Sequence, residues 1–411
     1  MKLATFRKTV RTAAAVIAAV ALTAGLGACS SSPASDNKTL VLWDYQQTPG
    51  PEYLKRLTDF TKETGIKVDR VGIKYEDFLG KILQAAAANS LPDVIMIDNP
   101  WNSSMAAQGV LSDLTDRVKE WGQWDQYYEG PAQSATWRDK IYGVPNESNA
   151  LIMYYDKTLF DQNGLTAPTT WEQLASDSKA LTAPGRYGFS TSMTKSENSV
   201  FVFESLLWQA GADLDSLDSP KALEAMQYLV DLQKSGSMSK EALSWDLRAG
   251  VTQLVNGQSA IAFGGTWDGT WIKDNMKNEL GIAPLPAGPA GQASNLGGEN
   301  WAITATSTHQ DEAWKLIRFA VDPKQQMPYL VESGQLPSRK DLAGKPEFSA
   351  EPFTTYLEQL QVAKARVYGP DYPKMADAVT QAFQSVLSGQ QTPQQALKDA
   401  SATVQPLLAK K

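Results

Sequence analysis

The sequence predicts an α/β protein organised around a mainly parallel sheet, and two observations support this fold class. First, the chain has 411 residues, which allows two or three domains at roughly 100–200 residues each, and its 42% apolar and 20% charged residues are ordinary for a globular protein. Second, strand and helix patterns alternate along residues 39–97 in the order β-α-β-α-β. The composition excludes a largely disordered chain, a collagen and a polytopic membrane protein.

The strand and helix patterns can be justified one by one. Residues 53–64 place Tyr53, Leu57 and Phe60 on one helical face, residues 66–71 alternate apolar and polar side chains, and residues 94–97 are entirely apolar. The predicted strands are residues 39–43, 66–71, 94–97, 141–145, 151–155, 260–263 and 301–303, and the predicted helices are residues 53–64, 75–89, 156–163, 220–234, 247–256, 311–321, 352–365 and 372–387, with another helix starting after Thr170. Residues 284–298 are rich in Pro and Gly and are predicted to be a loop.

Polar and aromatic side chains follow two of the first strands directly. Asp44 and Tyr45 come after the first strand, and Asp98 follows the strand at residues 94–97. Ligands bind beyond the carboxyl ends of the strands in parallel α/β sheets, so these three residues are candidate site residues. For Asp98 the alternative is a turn in which the aspartate only caps the backbone.

Charge and two scarce residue types narrow the classes of function. A formal net charge of −7 and an isoelectric point near 5.0 argue against a nucleic-acid binder with a broad basic face. The single cysteine, Cys29, forbids an internal disulfide and any cysteine-rich metal site. The single histidine, His309, removes most histidine-based catalysis and metal binding. We therefore expect no metal, no cofactor and no nucleic-acid partner.

Residues 1–28 are predicted to be a lipoprotein signal peptide. They begin with four basic residues and no acidic one, continue with an apolar run from Ala13 to Leu22, and end just before Cys29. The apolar run is shorter than the roughly 20 residues of a membrane-spanning helix. Residues 26–29 resemble a bacterial lipobox, whose cysteine becomes the lipidated first residue of the mature chain; the alternative is an ordinary cleaved signal with an incidental cysteine. Residues 29–38 are predicted to be a flexible polar tether.

Several short motifs occur along the mature chain in a characteristic order. They are Leu42-Trp43-Asp44, Pro92-Asp93-Val94-Ile95, Tyr142-Gly143-Val144-Pro145, Leu151 with Tyr154-Tyr155-Asp156-Lys157, Pro168-Thr169-Thr170-Trp171-Glu172-Gln173-Leu174, Gly257-Gln258-Ser259-Ala260-Ile261 and Leu336-Pro337-Ser338-Arg339. In this order and spacing the chain resembles bacterial extracellular solute-binding protein family 1, the substrate-binding lipoproteins of carbohydrate ABC importers that include the maltose-binding type. The resemblance runs from about Leu40 to the C-terminus, and it rests on the motifs together rather than on any one of them.

The resemblance implies a two-lobed periplasmic-binding-protein type II fold with the ligand cleft between the lobes and hinge crossings near residues 148–150, 299–303 and 336–340. Lobe one would comprise residues 39–149 plus 302–337, and lobe two residues 150–301 plus 338–411. Such a protein closes like a hinge on its solute, and a membrane permease recognises the closed form. The resemblance also implies a monomer that is not an enzyme. It would be exported and anchored through Cys29 to the outer face of the cytoplasmic membrane.

A mono- or oligosaccharide ligand requires flat aromatic surfaces for its C–H faces and paired donors and acceptors for its hydroxyls. The family resemblance makes Trp267 the leading candidate, because it follows a Gly pair after a strand, where relatives often stack a pyranose ring; the alternative is a hydrophobic plug under the neighbouring helix. For Arg339 the alternatives are a bridge between hydroxyls and an ion pair that braces the hinge. The predicted ligand-binding residues are Asp44, Tyr45, Asp98, Asn149, Trp267, Glu299, Trp301 and Arg339.

Three other functions remain open from the sequence. The same fold could bind a polyol, glycerol phosphate or a peptide, although the candidate loops lack the basic cluster that a phosphate needs. An exported glycoside hydrolase would use two carboxylates roughly 5 to 10 Å apart, and Asp44, Asp98, Glu147 or Glu299 could supply such a pair. A purely structural surface protein is the third possibility.

Overall fold

A computed structural model describes residues 39–46 and 49–408 of the chain. The predicted signal peptide, Cys29 and the predicted tether lie outside the described residues. Within the part of the chain that is described, no helix has both the length and the apolar character needed to cross a membrane.

Strands and helices alternate one by one from β1 to β3, and runs of up to four like elements follow. The strands are β1 (Thr39–Asp44), β2 (Lys67–Gly72), β3 (Val94–Asp98), β4 (Thr136–Trp137), β5 (Lys140–Ile141), β6 (Val144–Pro145), β7 (Asn149–Asp156), β8 (Tyr187–Ser190), β9 (Ser259–Gly265), β10 (Leu280–Ala283), β11 (Ser294–Gly297), β12 (Glu299–Ile303) and β13 (Ala363–Ala365). The helices are α1 (Pro51–Thr64), α2 (Tyr75–Ala87), α3 (Asn102–Ala107), α4 (Thr115–Trp121), α5 (Glu129–Ser134), α6 (Lys157–Gln162), α7 (Trp171–Leu181), α8 (Glu197–Ala210), α9 (Pro220–Lys234), α10 (Leu247–Val255), α11 (Gly269–Asn275), α12 (Gln310–Ala320), α13 (Pro323–Ser333), α14 (Lys340–Ala343), α15 (Phe353–Leu360), α16 (Tyr372–Leu387) and α17 (Pro393–Leu408).

The first lobe is built on a five-stranded sheet in the order β2-β1-β3-β12-β6. β1 is parallel to β2 and to β3, as the sequence predicts, but β12 runs antiparallel to β3 and to β6. The sheet is therefore mixed. The antiparallel register sets Glu299 at the start of β12 opposite Asp98 at the end of β3, so two carboxylates from distant parts of the sequence meet at one edge of the sheet.

The second lobe contains a sheet in the order β13-β11-β7-β9-β8, with β10 also paired to β7. β11 lies inside the segment predicted to be a loop. Its residues Ser-Asn-Leu-Gly have low intrinsic strand preference, and the strand exists because it pairs with β7 and β13. The helix predicted for residues 352–365 ends at Leu360, and the chain then forms β13.

Two crossings between the sheets lie side by side. The chain leaves the first sheet after β6 and enters the second at β7, and it returns at Gly298 between β11 and β12. Gly298 has φ 133°, and a Cβ there would lie 2.1 Å from the carbonyl oxygen of Glu147, so the close approach of the crossings requires glycine. Because the sheets change at Gly298, residues 299–301 belong to the first lobe, and the boundary predicted after residue 301 is wrong.

The third predicted crossing pairs with the first. Ser148 and Leu336 exchange two backbone hydrogen bonds, each of 2.8 Å. The first-lobe contacts continue beyond the predicted boundary at residue 337, because Tyr128 N–H donates to Ser338 O at 3.0 Å and Arg339 pairs with Tyr127. The chain segments that join the lobes are therefore tied together by main-chain hydrogen bonds.

Candidate functional site

A cleft of about 670 Å³ lies between the two sheets. Five of the predicted site residues line it: Tyr45, Asp98, Asn149, Trp267 and Glu299. Each stands at or just beyond the end of a strand, namely β1, β3, β7, β9 and β12. Strand ends from both lobes thus supply the predicted side chains to one cavity.

Tyrosine hydroxyls hold the carboxylates of the first-lobe wall. Tyr45 donates to Glu299 Oε1 at 2.6 Å, and Tyr75 donates to Asp98 Oδ2 at 2.7 Å. The two tyrosine rings meet edge to face with centroids 5.1 Å apart, and Tyr75 also stacks on Trp101 at 5.2 Å. These contacts fix one oxygen of each carboxylate and leave Oε2 of Glu299 without a hydrogen-bond partner among the described residues.

Glu147 lies behind Glu299 at the hinge crossing. Burial and the neighbouring Glu299 charge hold the pKa of Glu147 well above its ordinary value, and burial also raises the pKa of Glu299. Because a charge on either buried carboxyl opposes ionisation of the other, the two groups titrate as a coupled pair beside the cleft.

Trp267 forms the aromatic surface of the second-lobe wall. Its ring lies directly against the Cα of Gly265, because a Cβ at that position would come within 2.2 Å of the ring atom Cζ2. Phe201 contacts the same ring with centroids 6.2 Å apart. The indole is partly buried against the lobe and partly exposed in the cleft, so it both packs on the core, as the alternative reading of Trp267 requires, and lines the cavity.

A second glycine gives room to the amide at the first crossing. Asn149 is 4% exposed, and a Cβ on Gly297 would lie 1.9 Å from Asn149 Oδ1. Gly297 therefore allows the Asn149 side chain to lie flat against β11 at the wall of the cleft.

Arg366, directly after β13, is a cationic group of the cleft that the sequence analysis missed. Its guanidinium pairs with Glu197 through Nη1 and with Asp98 through Nη2 at 3.6 Å. The Tyr372 hydroxyl donates to the same Glu197 oxygen at 2.7 Å. Burial raises the pKa of Asp98 and of Glu197, and the Arg366 charge opposes both increases.

Other lining residues were missed for identifiable reasons. Glu197 and Phe201 lie on α8, a helix that is buried on nearly every side and therefore has no amphipathic period to detect. Arg366 follows a strand that the sequence pattern assigns to a helix. Tyr75 could have been found, because it starts the helix that follows β2, close to the carboxyl end of a strand in the sheet.

Three predicted site residues lie outside the cleft lining. Asp44 is fully buried and accepts hydrogen bonds from Arg70 Nε at 2.6 Å and from the Tyr53 hydroxyl at 2.6 Å. Consecutive strand residues point to opposite faces, so Tyr45 reaches the cleft and Asp44 does not. The structure thus corrects the prediction that Asp44 faces the cavity.

Trp301 and Arg339 are also buried in the interior of the protein, outside the cleft. Trp301 is fully buried, about 7 Å along β12 from Glu299, and its Nε1 donates to Asn146 Oδ1 at 2.8 Å. Arg339 donates to both carboxylate oxygens of Asp341, at 3.0 and 2.8 Å. Asp341 lies only two positions along the same chain segment, so this ion pair does not itself join the two lobes, and Arg339 does not line the cleft.

The described residues contain no group of three or more His, Cys, Asp or Glu side chains arranged to hold a metal ion. The residues that line the cleft supply carboxylates, hydroxyls, amides, guanidinium groups and aromatic faces.

Comparison with known proteins agrees with this geometry. The family model described as bacterial extracellular solute-binding protein matches residues 55–355. The chain belongs to this family. It is 25% identical to the maltodextrin-binding protein of Bacillus subtilis, over 94% of this chain and 95% of the relative. The predicted family and the two-lobed fold of solute-binding proteins are confirmed.

Two solved structures of the same fold are similar along nearly their whole length. An ABC transporter solute-binding protein of Thermotoga lettingae, bound with α-D-tagatose, has a TM-score of 0.85 at 25% identity and covers 90% of this chain and 100% of its own. A maltose-bound protein of T. maritima has a TM-score of 0.83 at 26% identity and covers 90% of this chain and 99% of its own. The chain is thus a solute-binding protein by family, with the two-lobed fold of these neighbours.

Proposed function

We propose that this solute-binding protein is the substrate-binding component of a carbohydrate ABC importer, which captures a mono- or oligosaccharide by hinge closure and delivers it intact to a membrane permease. The observation that carries the proposal is the pairing, in one cleft, of a partly exposed indole with carboxylates fixed by tyrosine hydroxyls. The similarity to maltodextrin-, tagatose- and maltose-binding proteins supports it.

Each wall of the cleft suits a different surface of a sugar ring. Trp267 offers a flat apolar face to the C–H groups of one side. Glu299 and Asp98 accept hydrogen bonds from the ring hydroxyls, and Asn149 both donates and accepts. Because these groups come from opposite lobes, a solute that contacts all of them stabilises the closed arrangement over the open one.

The route of export forms part of the proposal. Residues 1–28 act as the signal peptide, and lipidation of Cys29 anchors the mature chain at the outer face of the cytoplasmic membrane. The protein works there as a monomer with the permease as its partner and without catalysis or a cofactor. The membership in an extracellular family and the basic-apolar-lipobox pattern of residues 1–29 support this location.

The charge of the cleft separates the alternative ligands. Carboxylates outnumber guanidinium groups in the lining: Glu76, Asp98, Glu197, Asp246, Asp274, Glu299 and Glu332 stand against Arg248 and Arg366. Such a cleft repels anions, which disfavours glycerol phosphate. A polyol presents the same hydroxyl chemistry as a sugar and remains the second candidate ligand.

A glycan-library binding screen followed by calorimetry on Trp267→Ala tests the proposal. Truncating a stacked tryptophan should weaken binding of the identified sugar by about 30-fold or more. Trp245→Ala is the matched control, because Trp245 is also partly buried against the second-lobe core but does not line the cleft. Binding of no sugar in the library, or equal affinities for the two variants, would contradict the proposal, and the appearance of reducing ends would favour the hydrolase.

A further inference from the structure

An ion pair joins the two lobes across the cleft. Asp98 ends a strand of the first sheet and Arg366 follows a strand of the second, and Arg366 Nη2 lies 3.6 Å from Asp98 Oδ1. The side chains are only 10% and 2% exposed. Salt screens a buried ion pair only weakly, so the attraction between these two charges draws the lobes together even at physiological ionic strength.

Each partner is fixed by contacts within its own lobe. In the second lobe, Glu197 pairs with Arg366 Nη1, and the guanidinium lies over the rings of Phe201 and Tyr372, 5.0 and 6.0 Å from their centroids. In the first lobe, the Tyr75 hydroxyl holds Asp98. The pair therefore connects one group held by the first lobe to one group held by the second, and a movement that widens the cleft separates them.

We propose that Arg366 is a positioning residue that sets the balance between open and closed lobes and thereby the affinity for the solute. The proposal rests on the proposed function. Arg366 carries the positive charge between Asp98 and Glu197, two carboxylates that belong to opposite lobes. With Arg366 in place the lobes attract one another; without it, the two carboxylates repel across the cleft and favour the open arrangement.

This electrostatic role predicts how far the lobes open in each variant. Arg366→Met leaves the Asp98 and Glu197 carboxylates repelling each other, so it opens the lobes most. Asp98→Asn removes the attraction without creating repulsion, so it opens them less, and the double variant Arg366→Met/Asp98→Asn falls near Asp98→Asn because the repulsion is gone. A merely structural role for Arg366 would not let a second substitution reverse part of the first.

Small-angle X-ray scattering of the purified protein without added sugar measures the balance directly. The radius of gyration should increase from wild type through Asp98→Asn to Arg366→Met. Arg117→Met is the control, because Arg117 pairs with Asp311 at 2.6 Å inside the first lobe and should scatter like wild type. Identical curves for wild type and Arg366→Met, or a double variant as open as Arg366→Met, would overturn the proposal.

Binding of the sugar identified by the glycan screen provides the second readout. Arg366→Met should weaken it by roughly 5- to 150-fold, the usual range for coupling between a conformational equilibrium and a site, mainly through faster dissociation. Unchanged affinity and dissociation would overturn the proposal. If circular dichroism shows that Arg366→Met does not fold, the difference in scattering between Asp98→Asn and wild type decides. Failure of every glycan to bind would refute the proposed function alone, because the scattering order is independent of it.

Discussion

Glu204 gives a quantitative test of the electrostatics behind the cleft. It lies on α8, is fully buried, accepts a hydrogen bond at Oε2 from Asn295 Nδ2 at 3.2 Å, and has the Tyr372 hydroxyl oxygen 3.3 Å from the same Oε2. Burial raises its pKa from 4.5 to about 8, against the lowering effect of Arg366. The folded protein therefore retains the Glu204 proton at neutral pH, whereas the unfolded chain releases it.

The sign and size of the effect follow from proton linkage. Where the native state binds one more proton than the unfolded state, the free energy of unfolding falls by about 1.4 kcal/mol per pH unit. The stabilisation by protonated Glu204 is complete below about pH 4.5 and is lost as the pH rises to about 8. Glu204→Gln imitates the neutral acid at every pH, so the stability difference between the variant and wild type should grow by about 2.5 kcal/mol from pH 5 to pH 7, in favour of the variant.

Urea unfolding followed by tryptophan fluorescence at pH 5, 6 and 7 measures this difference, since both proteins share every other titrating group. Glu241→Gln, at an exposed glutamate of the same lobe, is the control and should keep a constant difference from wild type. A Glu204→Gln difference that stays constant between pH 5 and pH 7 would refute the assignment of a neutral Glu204.

Two further predictions concern the cleft. Gly265→Ala should weaken sugar binding roughly tenfold or more, because the added Cβ would displace the Trp267 ring. Calorimetry measures the affinity, with Gly80→Ala as the control because its Cβ would meet nothing within 4 Å. Equal affinities for the two variants would contradict the packing described for Trp267. A phosphate ester of the bound sugar should compete at least about tenfold more weakly than the sugar itself, because the cleft is acidic, and equal competition would contradict the charge argument.

Sequence patterns predict the helices and strands whose structure depends mainly on residues close to them in the chain. Helix α1 and strand β1 show regular burial on one face, and Thr170 caps α7 by accepting from Gln173 N–H, as its sequence position indicates. Helix α8 was missed because it is enclosed by the second lobe, and β11 was missed because distant strands, not its own residues, make it a strand. Hydrophobic periodicity along a sequence arises only in an element that has one face in the core and the other in solvent.

The site was predicted where a residue's position at a strand end was enough to place it. Tyr45, Asp98 and Trp267 follow that rule and line the cleft. Asp44 and Trp301 did not follow the prediction, because the choice between cleft and core depends on pleat direction and on depth along the strand. Arg366 lies more than 160 residues from its partner Glu197, and no local signal connects them.

Gly298, where the chain passes from the second sheet back to the first, is followed directly by Glu299. Its φ of 133° and its close approach to the carbonyl oxygen of Glu147 leave no room for a Cβ. Any substitution at this crossing would therefore also displace a carboxylate that lines the cleft, so the same glycine that lets the chain change lobes also keeps a ligand-facing group in position.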